Sequence, residues 1–324
     1  MPLAEKSLIR RIRLRAGRAA GVIGIGIGDD CASIRIPPGH EALVTTDFSL
    51  EDVHFRRRLQ PAASVGHRCL LRGLSDIAAM GGEPLAVFLS LALPGTLPQS
   101  WVDEFLERLL NLAKEFGVTL AGGDTAKSPG KVLADILVLG SVPRGKAILR
   151  SGARTGDRIF VTGTLGGAAT TLGMLLQGRK KKIPAAELRS YFYPIPRIEV
   201  GHILRKKGMA SSMIDISDGL SSELLHICKR SETGCVLYEE KIPINDLARQ
   251  FAYKLELDPT ACALSGGEDY ELLFTIDQND YNKIAVNEQI SVVGHITEKE
   301  EGSILITKGG NEHKLTAQGW NAFT

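Results

Sequence analysis

The chain has 324 residues, 44% hydrophobic and 23% charged, with 39 Lys plus Arg against 37 Asp plus Glu and a formal net charge of +2. These globular proportions exclude a disordered chain or a coiled coil, and at roughly 100–200 residues per domain the length suits two domains. Near-neutrality argues against a nucleic-acid partner, because binding a phosphate backbone leaves a basic excess.

The N-terminal MPLAEKSLIRRIRLRAG reads as a short amphipathic helix with no signal-peptide pattern. From about residue 42, EALVTTD predicts a strand and SVGHRCLLRGLSDIAAMG a helix. LAVFLSLALP predicts a buried strand, well short of a membrane span. PQSWVDEFLERLLNLAKEFG follows as an amphipathic helix with Trp101, Phe105, Leu109, Leu112 and Phe116 near one face. GVTLAGGDT and KVLADILVLGSV supply two more strands. Turn formers in PRGKAILRSGARTGD, at 143–157, set the boundary, giving domains 1–145 and 146–324. The second half restarts with the strand DRIFVTG and a small-residue helix near 165–177, so the class is α+β, with two α/β-type domains. The halves faintly echo each other. Each pairs an S-D at a helix start (Asp76, Asp218) with a Gly-Gly-acid turn about 50 positions later (Asp124, Glu268).

The basic clusters Arg56–Arg58 and Arg179–Lys182 carry no interleaved aromatics and read as solvated surface. The five cysteines form no C-x-x-C pair, which points to a reducing cytoplasm without structural zinc; Cys31 reads as a small buried hydrophobe.

Of the 35 glycines, many sit beside Asp or Thr, as backbone wrapped closely around a ligand requires. Five acidic motifs stand out: GIGDDCAS at 26–33, TTDFSLEDVHF at 45–55, LSDIAAMG at 74–81, AGGDT at 121–125 and IDISDGL at 214–220. One alone reads as a helix cap or Asx turn. Five together predict a cation, since converging carboxylates resist ionisation unless a positive charge sits between them. Oxygen ligands with few His and no Cys favour Mg²⁺, which usually serves a substrate's phosphates, so a nucleotide is the expected ligand. No Walker, Rossmann or protein-kinase signature is present. Phosphates would therefore be held through metal, with backbone amides and Arg150 assisting. SGGEDYELLFT at 265–275 adds a tight turn in which Glu268 follows glycines that permit close approach of a ligand.

Taken together, GIGDDCA, TTD-x7-HF, LSDIAAMG, RSGARTGD, VTGTLG, P-x-P-R at 194–197, ISDGLSSEL, SGGEDYEL and the final GWNAF resemble the thiamine-monophosphate kinases. These belong to the superfamily of aminoimidazole ribonucleotide synthetase. The resemblance spans nearly the whole chain and implies that superfamily's two-domain fold. It also implies ATP-dependent phosphorylation of thiamine monophosphate to thiamine diphosphate. By motif position, Asp30, Thr45, Thr46, Asp47, Asp76, Asp124, Asp215 and Asp218 would be metal ligands. Gly123, Asp124, Arg150 and Ser217 would bind ATP; His54, Glu268 and Trp320 would line the thiamine phosphate pocket. The first domain would bind ATP and Mg²⁺ and join sheets across a homodimer, and the second would complete the active site. Where many relatives carry a Tyr beside adenine, this chain has Leu106. The sister selenophosphate synthetases carry a reactive Cys ahead of the GIGDD motif, and the hydrogenase maturation factors end in a carrier Cys; neither feature is present. The intact Asp set favours an enzyme over a regulator that has lost catalysis. A phosphate monoester with second pKa of about 6 is already anionic, so no general base is expected, and aromatic and acidic neighbours suit the cationic thiazolium.

Overall fold

The computed structural model describes residues 5–17, 21–283 and 289–317, which places Trp320 outside the described residues. The chain forms two compact units, one of residues 1–77 and 82–146, the other of 78–81 and 147–324.

In the first unit, α1 (Glu5–Ala16) and the short β1 (Ile23–Ile25) and β2 (Ser33–Ile34) precede β3 (His40–Leu50), α2 (Ala62–Ala79), β4 (Glu83–Pro94), α3 (Gln99–Glu115), β5 (Thr119–Ser128) and β6 (Leu133–Pro143). The four long strands form one sheet in the order β3-β6-β4-β5, with only the β4/β5 pair parallel. Apolar alternation sets which face is covered. On β3, Leu43 and Ser49 are buried, whereas Val44 and Phe48 on the other face are 61% and 59% exposed. The helix α2 lies on the covered face, where a side chain at Gly73 would collide with Val138 and approach Thr45. Its Leu70, Leu71 and Leu74 and the Phe105, Leu106 and Leu109 of α3 are all fully buried. Each such side chain contributes about 1.5–3 kcal/mol of transfer free energy. Burial of Leu106 removes it from any surface a nucleotide could reach.

The second unit contains β7 (Arg158–Thr162), α4 (Gly167–Leu176), α5 (Ala185–Phe192), α6 (Ile198–Lys207), β8 (Ala210–Asp215), α7 (Leu220–Ser231), β9 (Gly234–Tyr238), α8 (Asp246–Phe251), α9 (Pro259–Ser265), β10 (Leu272–Ile276), β11 (Ile290–Thr297), β12 (Ser303–Ile306) and β13 (Glu312–Lys314). Its seven-stranded sheet runs β13-β12-β9-β11-β7-β10-β8, antiparallel except for β12 beside β9. Apolar residues cover both faces. Ile159, Val161, Ile214 and Leu273 pack with Leu220, Leu224 and Ala263 on one side; Phe160, Met213 and Phe274 pack with Leu204 and Ala78 on the other.

Three expectations need correcting. Asp76 sits in the last turn of α2, because the apolar period Leu70, Leu74, Ile77 carries the helix past it. Asp124 lies inside β5, whose parallel pairing to β4 keeps the Gly-Gly-Asp extended. The echo between halves therefore fails, since only Asp218 and Glu268 occupy a pre-helix loop and a turn. Finally, Cys31 is exposed, whereas the other four cysteines are buried; none forms a disulfide.

Candidate active site

The TTD motif lies inside β3, so successive side chains must leave opposite faces of the sheet. Thr45 and Asp47 face α2. The Thr45 hydroxyl donates to Asp76 Oδ2, and Asp47 lies against the same carboxylate. Burial first, and then the charge of Asp76, push the Asp47 carboxyl up to about 6; the nearby Arg72 guanidinium pulls the other way, and Asp135 adds a further upward push. Asp47 Oδ2 is buried without a hydrogen-bond partner. An orphaned carboxylate oxygen beside a second carboxylate is costly unless a cation completes it, and Asp and Thr oxygens are the donors Mg²⁺ accepts. The residues present fit that ion. Among the described residues no three His, Cys, Asp or Glu side chains form a closed metal cage; magnesium usually takes one or two carboxylates and leaves its other positions to water and phosphate.

Thr46 points the other way and donates to Asp135 Oδ1 at 2.9 Å. Asp135, on β6, was missed by the motif reading. Its only signal in sequence is a lone acid interrupting the apolar run LADILVL. Asp124 and Asp30 are exposed; Asp124 Oδ1 accepts from the Thr125 N–H at 2.8 Å, and the Asp30 N–H donates to Asp29 Oδ1 at 3.1 Å. Gly123 has φ +146°, and any side chain there would run into the Leu89 carbonyl of β4.

His54 closes the turn after β3. Its N–H donates to the Leu50 carbonyl at 2.8 Å, and the Leu50 N–H donates to His54 Nδ1 at 3.0 Å. In the neutral ring this bond leaves the proton on Nε2. The next residue, Phe55, stacks on Trp101, which stacks on Phe105, fixing the turn to α3.

In the second unit the two remaining motifs lie side by side. Glu268 N–H donates to the Ser217 carbonyl at 2.7 Å, Tyr270 N–H to Ile216 at 2.9 Å, and Ile216 N–H to Glu271 at 2.7 Å. A side chain at Gly267 would meet the Ser217 carbonyl at 2.6 Å. Glu268 and Tyr270 both take positive φ, 58° and 54°, a backbone uncommon for residues that carry a side chain. Ser217 and Asp218 are braced from α7, since Glu223 accepts from Ser217 Oγ at 3.3 Å and Asp218 N–H at 3.2 Å. Burial raises the Glu223 carboxyl to about 7, with Asp218 adding to the shift and Arg150 opposing it, which places exposed Arg150 near the same group. Asp215 ends β8, buried, opposite Leu272.

Glu268 opens onto a cavity of about 450 Å³ that Tyr191, Tyr193, Arg197, Asp269 and Glu271 also line. Its floor is rigid. Arg197 of the P-x-P-R motif grips Glu271 through two bonds, 2.6 and 2.5 Å, and Asp269 accepts the amides of Gly166 and Ala168 at the start of α4, at 2.8 and 3.3 Å. The cavity combines aromatic faces with carboxylates, a lining suited to a cationic aromatic ring.

Comparison with known proteins agrees along the whole chain. Residues 28–142 match the model of the AIR synthase related protein N-terminal domain, and residues 154–307 that of its C-terminal domain. The thiamine-monophosphate kinase of Escherichia coli (strain K12) is 36% identical over 323 residues, 95% of each chain. A crystal structure of the thiamine-monophosphate kinase from Stenotrophomonas maltophilia K279a superposes with TM-score 0.81 at 32% identity, covering 98% of this chain and 99% of that one. A structure described as AaThiL complexed with AMPPCP and TMP gives TM-score 0.79 at 30% identity over 89% of each chain. With its two AIR synthase-type domains and identities above 30% over nearly its full length, the chain belongs to the thiamine-monophosphate kinase family.

Proposed function

We propose that this chain catalyses ATP-dependent phosphorylation of thiamine monophosphate to thiamine diphosphate by direct in-line transfer, in a cytoplasmic homodimer. The carrying observation is the Thr45–Asp47–Asp76 group, in which carboxylates are forced together with a buried oxygen left unpartnered. Such a group serves a cation that accompanies phosphates. The substrate assignment draws on the relative bound to an ATP analogue and TMP.

In this reading Asp30, Thr45, Thr46, Asp47, Asp76 and Asp124 of the first unit, and Asp215 and Asp218 of the second, hold Mg²⁺. When bound, the ion neutralises charge on donor and acceptor phosphates. Gly123, Arg150 and Ser217 bind ATP: Gly123 through backbone that no side chain obstructs, Arg150 as a charge, and Ser217 on a loop braced by Glu223. Glu268 pairs with the thiamine cation, His54 contacts the acceptor, and Trp320 adds an aromatic face. Because the acceptor phosphate is an anion near neutral pH, its own oxygen attacks the γ-phosphorus and no side chain needs to remove a proton. The residues hold two anions in line rather than create a nucleophile.

The homodimer reading rests on the bare face of β3, where Val44 and Phe48 leave apolar surface open to water. Five unpaired thiols and no helix among the described residues long and apolar enough to cross a membrane fit the cytoplasmic reading. A coupled ADP-release assay with Mg²⁺ and ATP tests the reaction, comparing thiamine monophosphate, free thiamine and no acceptor, with products separated by chromatography. Thiamine diphosphate formed from the monophosphate alone is the expected outcome; ADP release independent of acceptor refutes the reading.

A further inference from the structure

We propose that the second unit carries a further ligand site, a basic cavity on its sheet that takes a nucleotide-class anion, phosphate joined to a neutral planar ring, without help from metal. The cavity measures about 790 Å³, and Arg158, Tyr238, Lys241, Tyr281 and Ser291 are among the residues that line it. It shares no described lining residue with the cavity at Glu268, and its volume suits a small-molecule ligand.

Two cations converge there. Arg158 opens β7, a central strand between β11 and β10, and leaves the same face of the sheet as Phe160. Its cross-strand neighbours are Ile276 and His295. No acid opposes it, and among the described residues no hydrogen bond or ion pair holds its half-buried guanidinium. Stability alone does not explain a cation at that position, because partial burial strips hydration that nothing in the fold replaces. Lys241 is held in place, its ammonium 4.6 Å from the centroid of the Tyr238 ring. That ring stacks in turn on His295 at 5.9 Å and 27°, with the Tyr238 hydroxyl 3.4 Å from Nδ1. Both charges reach the same imidazole: burial first, then Arg158, and also Lys241, hold His295 below its ordinary range, while Glu301 opposes them. Glu301 is engaged elsewhere, accepting the Glu298 N–H in a capping box. No acid lines the cavity among the described residues.

The aromatic wall narrows the ligand class. Tyr281, in the turn Gln278–Lys283, packs tilted on Phe160 at 6.1 Å and stays 37% exposed, so it has ring surface left for stacking. The planar guanidinium of Arg158 matches two phosphate oxygens at once. A free inorganic anion leaves Tyr281 unused. A cationic ring such as thiazolium meets repulsion from Arg158 and Lys241, whereas a neutral nucleobase does not.

The test titrates the full-length chain calorimetrically with AMP in the presence of EDTA, which disables a site that holds phosphates through metal. The parent is expected to bind AMP, and to bind adenosine and inorganic phosphate at least about tenfold more weakly. Arg158→Gln should weaken AMP about tenfold or more. Lys241→Gln, at an exposed position where folding is safe, should weaken it several-fold and decides the matter if the Arg158 variant does not fold. Asp47→Asn and Glu268→Ala should bind AMP as the parent does. No AMP binding by the parent, or unchanged binding in both cavity variants, overturns the proposal. Loss of binding in Asp47→Asn or Glu268→Ala also overturns it, by assigning the ligand to the kinase site. Equal affinity for AMP and inorganic phosphate overturns the nucleotide assignment. None of these outcomes touches the kinase reading, which the acceptor-dependent assay with Mg²⁺ decides separately.

Discussion

The two units present their candidate site residues by different means. The first mounts Thr45, Thr46 and Asp47 on the edge strand β3 and Asp76 on a packed helix, and there the stress is electrostatic. The second mounts Ser217, Asp218 and Glu268 on loops, where the stress is conformational: positive φ at Glu268 and Tyr270, and two turns hydrogen-bonded edge to edge. A charge cluster on rigid elements is relieved by binding its counterion. A strained loop pair is relieved only by coming apart. Removing charge should therefore stabilise the first unit, and adding bulk should destabilise the second.

Asp47→Asn gives the largest effect and tests the first half of that contrast. Turnover should fall on the order of 10²–10³-fold, the scale on which a fixed electrostatic group acts. Stability should move the opposite way. The Asp47 carboxyl is raised from 3.8 to about 6, so the folded protein holds this proton more tightly than the unfolded chain does. Its contribution is present below about pH 4 and lost as pH rises through 6. The metal-free Asn variant should melt higher than the parent at pH 8, and the gain should vanish toward pH 4. A variant that melts lower at pH 8 breaks the comparison.

Gly267→Ala tests the second half. The left-handed backbone, φ +65°, costs an alanine about 1–2 kcal/mol, and its Cβ would press on the Ser217 carbonyl. Denaturant midpoints should fall, and KM values for both ATP and thiamine monophosphate should rise, since one displacement moves both loops. A rise for one substrate alone would show that the loops act separately. Glu268→Ala keeps the turn and removes only the carboxylate. Losing a hydrogen bond to a charged group, about 1.5–3 kcal/mol, should raise KM for thiamine monophosphate roughly 10- to 150-fold with kcat little changed; an unaltered KM removes Glu268 from the acceptor pocket. Phe48→Glu should have the smallest effect on folding, within about 0.5 kcal/mol for an exposed position. Light scattering should nevertheless report a monomer, and a persisting dimer would locate the interface elsewhere.

The helices α2 and α3 and the strands β3 to β6 were legible from periodicity, because their buried residues repeat at the spacing each backbone imposes. The family was legible from motifs carried whole in the chain. The reading of Asp76 as opening a helix was misplaced, since a Ser-Asp pair before a helix and one in a helix's last turn look alike over four residues. Cys31 was misjudged because a small apolar side chain in a loop carries no periodic signal.

By itself the sequence determined the main elements of the first half and the family, which follow from local residue type and spacing. The tertiary structure decided the rest. Asp135 meets Thr46 only through the register of two strands 89 residues apart, Asp47 meets Asp76 only because α2 packs onto β3, and Glu268 meets Ser217 only through backbone bonds between two turns. Such pairings depend on which strands and turns find each other, and no local propensity encodes that choice.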